Sequence, residues 1–260
     1  MSQDRNAVET ALVLGRKIAA GRFTAIGRAI LGHARSAKPA YICVSGAHPL
    51  SLAKADPDFA AALDGAAMIT PDGMPVRWML ALKGYRHSER VAGPDLAPWL
   101  IAQAEDEGVP VYFYGGFPDQ LDDLRRALAI SHPTLNVVGW DSPPVLPVRP
   151  DFDAETVARM NASGARLIFI GLGCPRQEFW MARHSAAVNG TMVGIGAAFS
   201  FMSGRLTRAP RMLQVLGLEW LYRLSREPRR LLGRYLFHNA RFVWFALLDL
   251  AAHWRKREPR

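Results

Sequence analysis

The chain is expected to fold as an α/β protein: a Rossmann-like, mostly parallel sheet with helices on both faces, followed by a helical basic appendage. Three observations predict this. Short apolar runs alternate with helix-patterned segments from residue 40 to residue 204. The runs are continuously apolar and do not alternate with polar residues, as strands covered on both faces should be. After Gly204 the strand candidates stop, and all of the net positive charge lies beyond that point.

In chain order, Ala40–Ser45 (AYICVS), Ala66–Thr70 (AAMIT), Val109–Gly115 (VPVYFYG), Leu135–Trp140 (LNVVGW), Arg166–Gly173 (RLIFIGLG) and Thr191–Ala197 (TMVGIGA) read as six buried strands. The intervening segments carry helix signals. MPVRWMLAL is amphipathic, Asp95 starts a helix that ends near Glu107, and Pro118-Asp119 opens DQLDDLRRAL. Asp151–Ala162 follows the proline-rich turn SPPVLPVRP, and Pro175 sits just inside EFWMARH. Leu206–Trp254 reads as two or three short helices broken at Pro210 and Pro228. The boundary therefore falls near Gly204, with a body over residues 1–204 and an appendage over residues 205–260.

The appendage holds 13 Lys/Arg against 4 Asp/Glu, which accounts for the whole formal charge of +9 and leaves the body neutral. An anionic partner is implied: phosphorylated lipid, a membrane surface or nucleic acid. Arginine far exceeds lysine there and is interleaved with Leu, Trp and Tyr at helical spacing. That pattern favours bidentate phosphate contacts or an interfacial helix. No nucleic-acid recognition signature accompanies it, so nucleic acid is not an expected partner. The best membrane-span candidate, Tyr235–Trp254, is interrupted by His238, Asn239, Arg241 and Asp249, whereas a spanning helix needs about 20 mostly apolar residues. The N-terminus has no charged region followed by an apolar one, so no secretory signal is expected. Cys43 and Cys174 stand far apart in apolar runs and read as core residues of a reducing compartment. A cytoplasmic protein that lies on a membrane without crossing it is the expectation.

In such sheets ligands bind where strands end and turn into helices. Pro71-Asp72-Gly73 follows a strand, and Asp72 there is either a helix cap or a carboxylate placed for general-base work. Arg90 precedes a Gly-Pro turn with Asp95 at a helix start, a good place for a phosphate clamp. Gly171-Leu172-Gly173-Cys174-Pro175-Arg176-Gln177-Glu178 is a strand, glycine turn and helix, and it lacks the third glycine of a dinucleotide fingerprint. The second Gly-x-Gly, from Gly194 to Gly196, fails the same test, which disfavours a nicotinamide-dependent oxidoreductase. No GxxxxGK[ST], GxSxG or HExxH motif occurs, and no metal-ligand constellation is visible. Asp56-Pro57-Asp58 and Asp151-Phe152-Asp153 precede helical patterns and read as caps.

PDG, RVAGPDL, GLGCPRQE, GIGAAFSFMSGRLTRAP and GLEWLYRLSREPRRLLGRYL occur in this order across roughly residues 40–236. Together they resemble the WecG/TagA/CpsF family of bacterial glycosyltransferases. The resemblance implies an inverting, metal-independent enzyme without a cofactor. Such an enzyme moves a sugar from a UDP-sugar to a polyprenyl-diphosphate-linked glycan at the inner face of the cytoplasmic membrane. By position, Asp72 matches the family's general base, Arg90 an arginine that stabilises the diphosphate leaving group, and Gln177 a glutamine of the sugar-nucleotide pocket. Gly46, His48, Gly73, Gly115, Gly171, Gly173, Gly196 and Ser200 lie in strand-end loops and are expected to join Gln177 in binding substrate. Arg208, Arg211, Arg223, Arg226, Arg229, Arg230 and Arg234 match an appendage that docks on membrane and closes over the site.

Two stretches depart from the family pattern. Val44-Ser45-Gly46 replaces a Thr-x-Asn, and Phe199-Ser200-Phe201 replaces a Phe-Asp-Phe. Both are polar ligand-side positions, so a UDP-hexose other than N-acetylmannosamine or its uronic acid, such as glucose or glucuronic acid, is the expected donor. A non-catalytic membrane-surface protein is the alternative class. An amphipathic tail also leaves homo-oligomer formation open.

Overall fold

The structure, a computed structural model, describes residues 8–36, 38–226 and 228–255, and the side chains of residues 229–232 and 234–236 lie outside that description. Arg229, Arg230 and Arg234 are therefore outside the described side chains.

All six expected strands form: β3 (Ala40–Ser45), β4 (Met68–Pro71), β5 (Val111–Gly115), β6 (Val137–Asp141), β7 (Leu167–Gly171) and β8 (Thr191–Gly194). They pair in parallel in the order β4-β3-β8-β7-β5-β6. Their side chains divide by strand period between two cores. Tyr41, Cys43, Tyr112, Tyr114, Ile168 and Ile170 face one core, whereas Ile42, Val111, Phe113, Leu167, Phe169 and Val193 face the other. Apolar residues at consecutive positions thus serve two layers at once, which explains the unbroken hydrophobic runs.

The first core is covered by α2 (Ala47–Ala53), α3 (Pro57–Asp64), α4 (Met74–Leu82), α7 (Ala154–Ala162) and α8 (Arg176–His184). The second is covered by α1 (Phe23–Ser36), α5 (Gly93–Asp106), α6 (Pro118–Ser131) and α9 (Ala198–Met202). Asp56 caps α3 by accepting from the N–H groups of Asp58 and Phe59, and Asp153 caps α7 by accepting from Thr156. Both caps are as the sequence suggests.

Two findings go beyond the sequence reading. An antiparallel hairpin of β1 (Glu9–Val13) and β2 (Arg16–Ala20) precedes α1 and the sheet. Its two-residue turn holds both Leu14 (φ 51°) and Gly15 (φ 81°) in the left-handed region. Beyond Gly204 the described residues form three helices, α10 (Arg211–Val215), α11 (Glu219–Arg226) and α12 (Pro228–Arg255), but α12 is 28 residues long and not short. It packs on α2 and α4, and its Phe242, Ala246 and Leu250 are buried in the first core. Buried Lys83 pairs with Asp249 of α12 at 2.7 Å, and Asp249 also accepts from the Leu14 N–H at 3.2 Å. No helix among the described residues is long and apolar enough to cross a membrane.

Candidate active site

The site lies at the carboxyl edge of the sheet, where adjacent strands send their helices to opposite faces. β5 leads into α6 on one face while its neighbour β7 leads into α8 on the other, and β3 and β8 diverge in the same way. The crevices merge into a cavity of about 1140 Å³ roofed by α10, α11 and α12. Asp72, Arg90, Gly46, His48, Gly73, Gly171, Gly173, Gln177, Gly196, Ser200 and Arg223 all line it.

Glycine makes the edge narrow enough to serve. A Cβ on Gly115 would lie 2.7 Å from the Gly171 backbone, and the residue has φ 112°, so β5 and β7 close on each other there. Gly115 is therefore a packing position, and it is Gly116 that lines the cavity. A Cβ on Gly46 would stand 3.0 Å from the Asp72 carbonyl oxygen and 3.6 Å from its carboxylate Oδ2. The loops after β3 and β4 are thereby held together, a contact reinforced by the Asp72 N–H donating to the Ser45 carbonyl at 3.1 Å.

The Asp72 carboxylate has no hydrogen-bond donor among the described residues. Burial pushes its pKa up to about 6; Arg90 and Arg223 pull it down, and Glu219 and Asp95 add to the rise. A carboxylate with this environment is ionised at neutral pH yet basic enough to take a proton.

Beside it, Arg90 donates to Glu219 at 2.8 Å, to Asp95 at 2.9 Å and to Gln214 at 3.3 Å. Arg208 joins the same group, donating to Asp95 at 3.0 Å and to Gln214 at 3.0 Å, with Glu219 at 3.2 Å. Burial opposes the charge on Arg90, but its bond to Glu219 and the negative charges around it hold its pKa above the ordinary value. Arg208 and Arg223 also stack over Phe201, at 5.5 and 5.6 Å. The body and the appendage thus share one ionic cluster. Arg211 and Arg226 stand apart from it, exposed on the surface.

Gln177 is placed differently from a simple ligand contact. Its Oε1 accepts from the Gly196 N–H at 3.0 Å, and a Cβ on Gly194 would come within 2.5 Å of its Nε2. The side chain therefore ties the loop after β8 to the start of α8 while lining the cavity. Next to it, Glu178 is buried, its Oε2 has no hydrogen-bond partner among the described residues, and burial pushes its pKa up to about 7. His48 stacks edge-on against His238 of α12, with ring centroids 4.1 Å apart. Ser200 accepts from Gln120 Nε2 at 2.8 Å, giving a neutral polar pair at the cavity wall.

Sequence reasoning did not single out Gln120, Gln214 or Glu219. Gln120 sits in the first turn of a well-signalled helix, where a polar residue is ordinary. Glu219 lies inside GLEWLYRL, and only the direction in which α11 folds back reveals its partner.

A family model described as the glycosyl transferase WecG/TagA/CpsF family matches residues 11–256, which takes in both the sheet and the three helices that roof it.

Proposed function

The chain belongs to the WecG/TagA/CpsF family of glycosyltransferases, and on that premise we propose that it transfers a hexose from a UDP-sugar to a polyprenyl-diphosphate-linked glycan in surface-polysaccharide synthesis. Asp72 carries the reading, being a half-buried carboxylate with its pKa raised to about 6 at the carboxyl edge of the sheet. In this mechanism Asp72 takes the proton of an acceptor hydroxyl as its oxygen attacks the anomeric carbon. The bond from that carbon to the donor phosphate breaks, and UDP departs with the electron pair. Attack from the face opposite the leaving group inverts the anomeric centre.

The charge that develops on the leaving diphosphate falls to Arg90, with Arg208 and Arg223 of the appendage in support. All three are held beside the cavity by ion pairs or ring stacking. The Gln120–Ser200 pair is uncharged, and the groups it suits are the hydroxyls of a hexose.

The appendage is the membrane-docking element in this reading, holding the enzyme at the cytoplasmic face. Arg211 and Arg226 are exposed there beside Met212, Val215, Leu216 and Leu221. Each basic group near an anionic surface contributes about 1 kcal/mol, and the apolar groups add burial.

The test is UDP release by the purified protein across a panel of UDP-sugars, with a polyprenyl-diphosphate-sugar acceptor in detergent. Acceptor-dependent release with one donor is expected. Silence across the panel from a folded protein that still binds anionic vesicles would replace the transferase with a non-catalytic membrane protein.

A further inference from the structure

We infer that the apolar half of the cavity, between α4 and α12, holds the isoprenoid chain of the lipid-linked acceptor; this rests on the transferase reading above. At about 1140 Å³ the cavity is larger than one ligand requires, since a site for a drug-sized molecule spans about 300–1,000 Å³. Its lining is of two kinds. Asp72, Arg90, Glu219 and Arg223 supply charge. The part that α4 and α12 bring is apolar among the described residues but for Asn239 and the indole N–H of Trp78.

That apolar part is built as a channel for hydrocarbon. Met79, Phe242, Ala246 and Leu250 form a buried floor. Trp78, Leu82, Val243 and Leu247 form the rim and are 44%, 52%, 57% and 60% exposed. Residues four apart on a helix stack on one face, so 78 and 82 give α4 an apolar edge, and 243 and 247 give α12 another. A peptide in this channel would leave its backbone N–H and C=O groups without partners, and a glycan its hydroxyls. A flexible hydrocarbon has no such groups to satisfy. The channel opens into the same cavity as Asp72, so a chain lying in it leaves the head of its molecule at the reacting end.

The experiment uses the full chain and two probes. One is a twenty-carbon isoprenoid diphosphate with a diazirine on its terminal isoprene. The other is a phosphatidylcholine with a diazirine on its acyl chain, presented in vesicles. After irradiation, isoprenoid adducts on Trp78, Leu82, Val243 or Leu247 are expected, in excess over phospholipid adducts. Isoprenoid adducts elsewhere, or phospholipid adducts alone on these residues, would overturn the inference. In parallel, Leu82→Glu and Leu247→Glu replace exposed side chains, so the fold should stand, as circular dichroism would verify. Each should raise KM for the lipid-bearing acceptor at least tenfold while changing KM for the donor less than twofold. Wild-type KM for both substrates would count against the channel. Adducts in the channel without any UDP release would keep the channel and remove the transferase. Normal turnover with adducts elsewhere would do the reverse.

Discussion

Arg90 and Glu219 are 2.8 Å apart, so the arginine at the sheet's ligand edge is held by a carboxylate from the helix that roofs it. Arg208 shares Glu219, Asp95 and Gln214 with Arg90, and two carboxylates thus occupy two guanidinium groups. A donor diphosphate must compete with Glu219 for this cation pair. Glu219→Gln should therefore tighten UDP binding roughly fivefold, since a charged hydrogen-bond partner exceeds a neutral one by about 1 kcal/mol. Calorimetric titration with UDP would show it, and unchanged or weaker binding would mean that the carboxylate does not compete.

Asp72→Asn should lower kcat by about 10²–10⁴-fold, the range a positioned general base supplies. UDP affinity should stay within about threefold, because the loss falls on the transition state and not on uniform binding. A wild-type rate would show that another group takes the proton.

The pH profile of kcat/KM should fall on the acid side near pH 6, where Asp72 gains its proton. The Arg90 charge holds that pKa down and the Glu219 charge holds it up. Arg90→Gln should therefore move the acid limb to higher pH, and Glu219→Gln should move it to lower pH. Limbs that stay in place in both variants would remove Asp72 from the profile.

Asp249 joins α12 to Lys83, which is only 5% exposed, and to the hairpin turn at Leu14. Asp249→Ala leaves a buried ammonium without its partner, and should cost about 3–5 kcal/mol. Urea unfolding would measure this, and a loss below about 1 kcal/mol would place the ion pair among ordinary surface contacts.

Glu178 is held protonated by burial, with its pKa raised from 4.5 to about 7 in the folded chain. Unfolding releases that proton, so its contribution is complete below about pH 4.5 and is lost as pH rises to about 7. The loss approaches about 3 kcal/mol by pH 8. Glu178→Gln should remove this part of the pH dependence, seen as a smaller stability change between pH 5 and pH 8. Equal changes in both proteins would mean that the carboxyl is not neutral when folded.

The sheet was legible because parallel strands buried on both faces leave unbroken apolar runs, and Ala40–Ser45 forms a strand over the same residues. The hairpin before it was not legible. Its turn is Leu14-Gly15, where Asn-Gly would be the recognisable pair, and the left-handed Leu14 is secured by Asp249 from far along the chain. The site shows the same division. Asp72 follows β4, Gln177 sits in the first turn of the helix after β7, and Arg90 lies in the loop before α5, so topology brings all three to one sheet edge and their neighbourhood follows from the fold. Glu219 and Gln120 sit on helices whose rotation is set by packing, and spacing along the sequence carries no record of that. Gly115 differs again: a glycine in a strand-end loop reads as a ligand position, whereas here it lets two backbones touch.

The Leu14–Asp249 contact spans 235 residues. At about 5–20 residues per second, the ribosome delivers Asp249 on the order of tens of seconds after the hairpin has emerged. During that interval the hairpin turn lacks its carboxylate, and the face that α12 will cover is open. A helix synthesised late, α12, therefore completes an element made early, and the nascent chain is most vulnerable to misassociation until α12 leaves the exit tunnel.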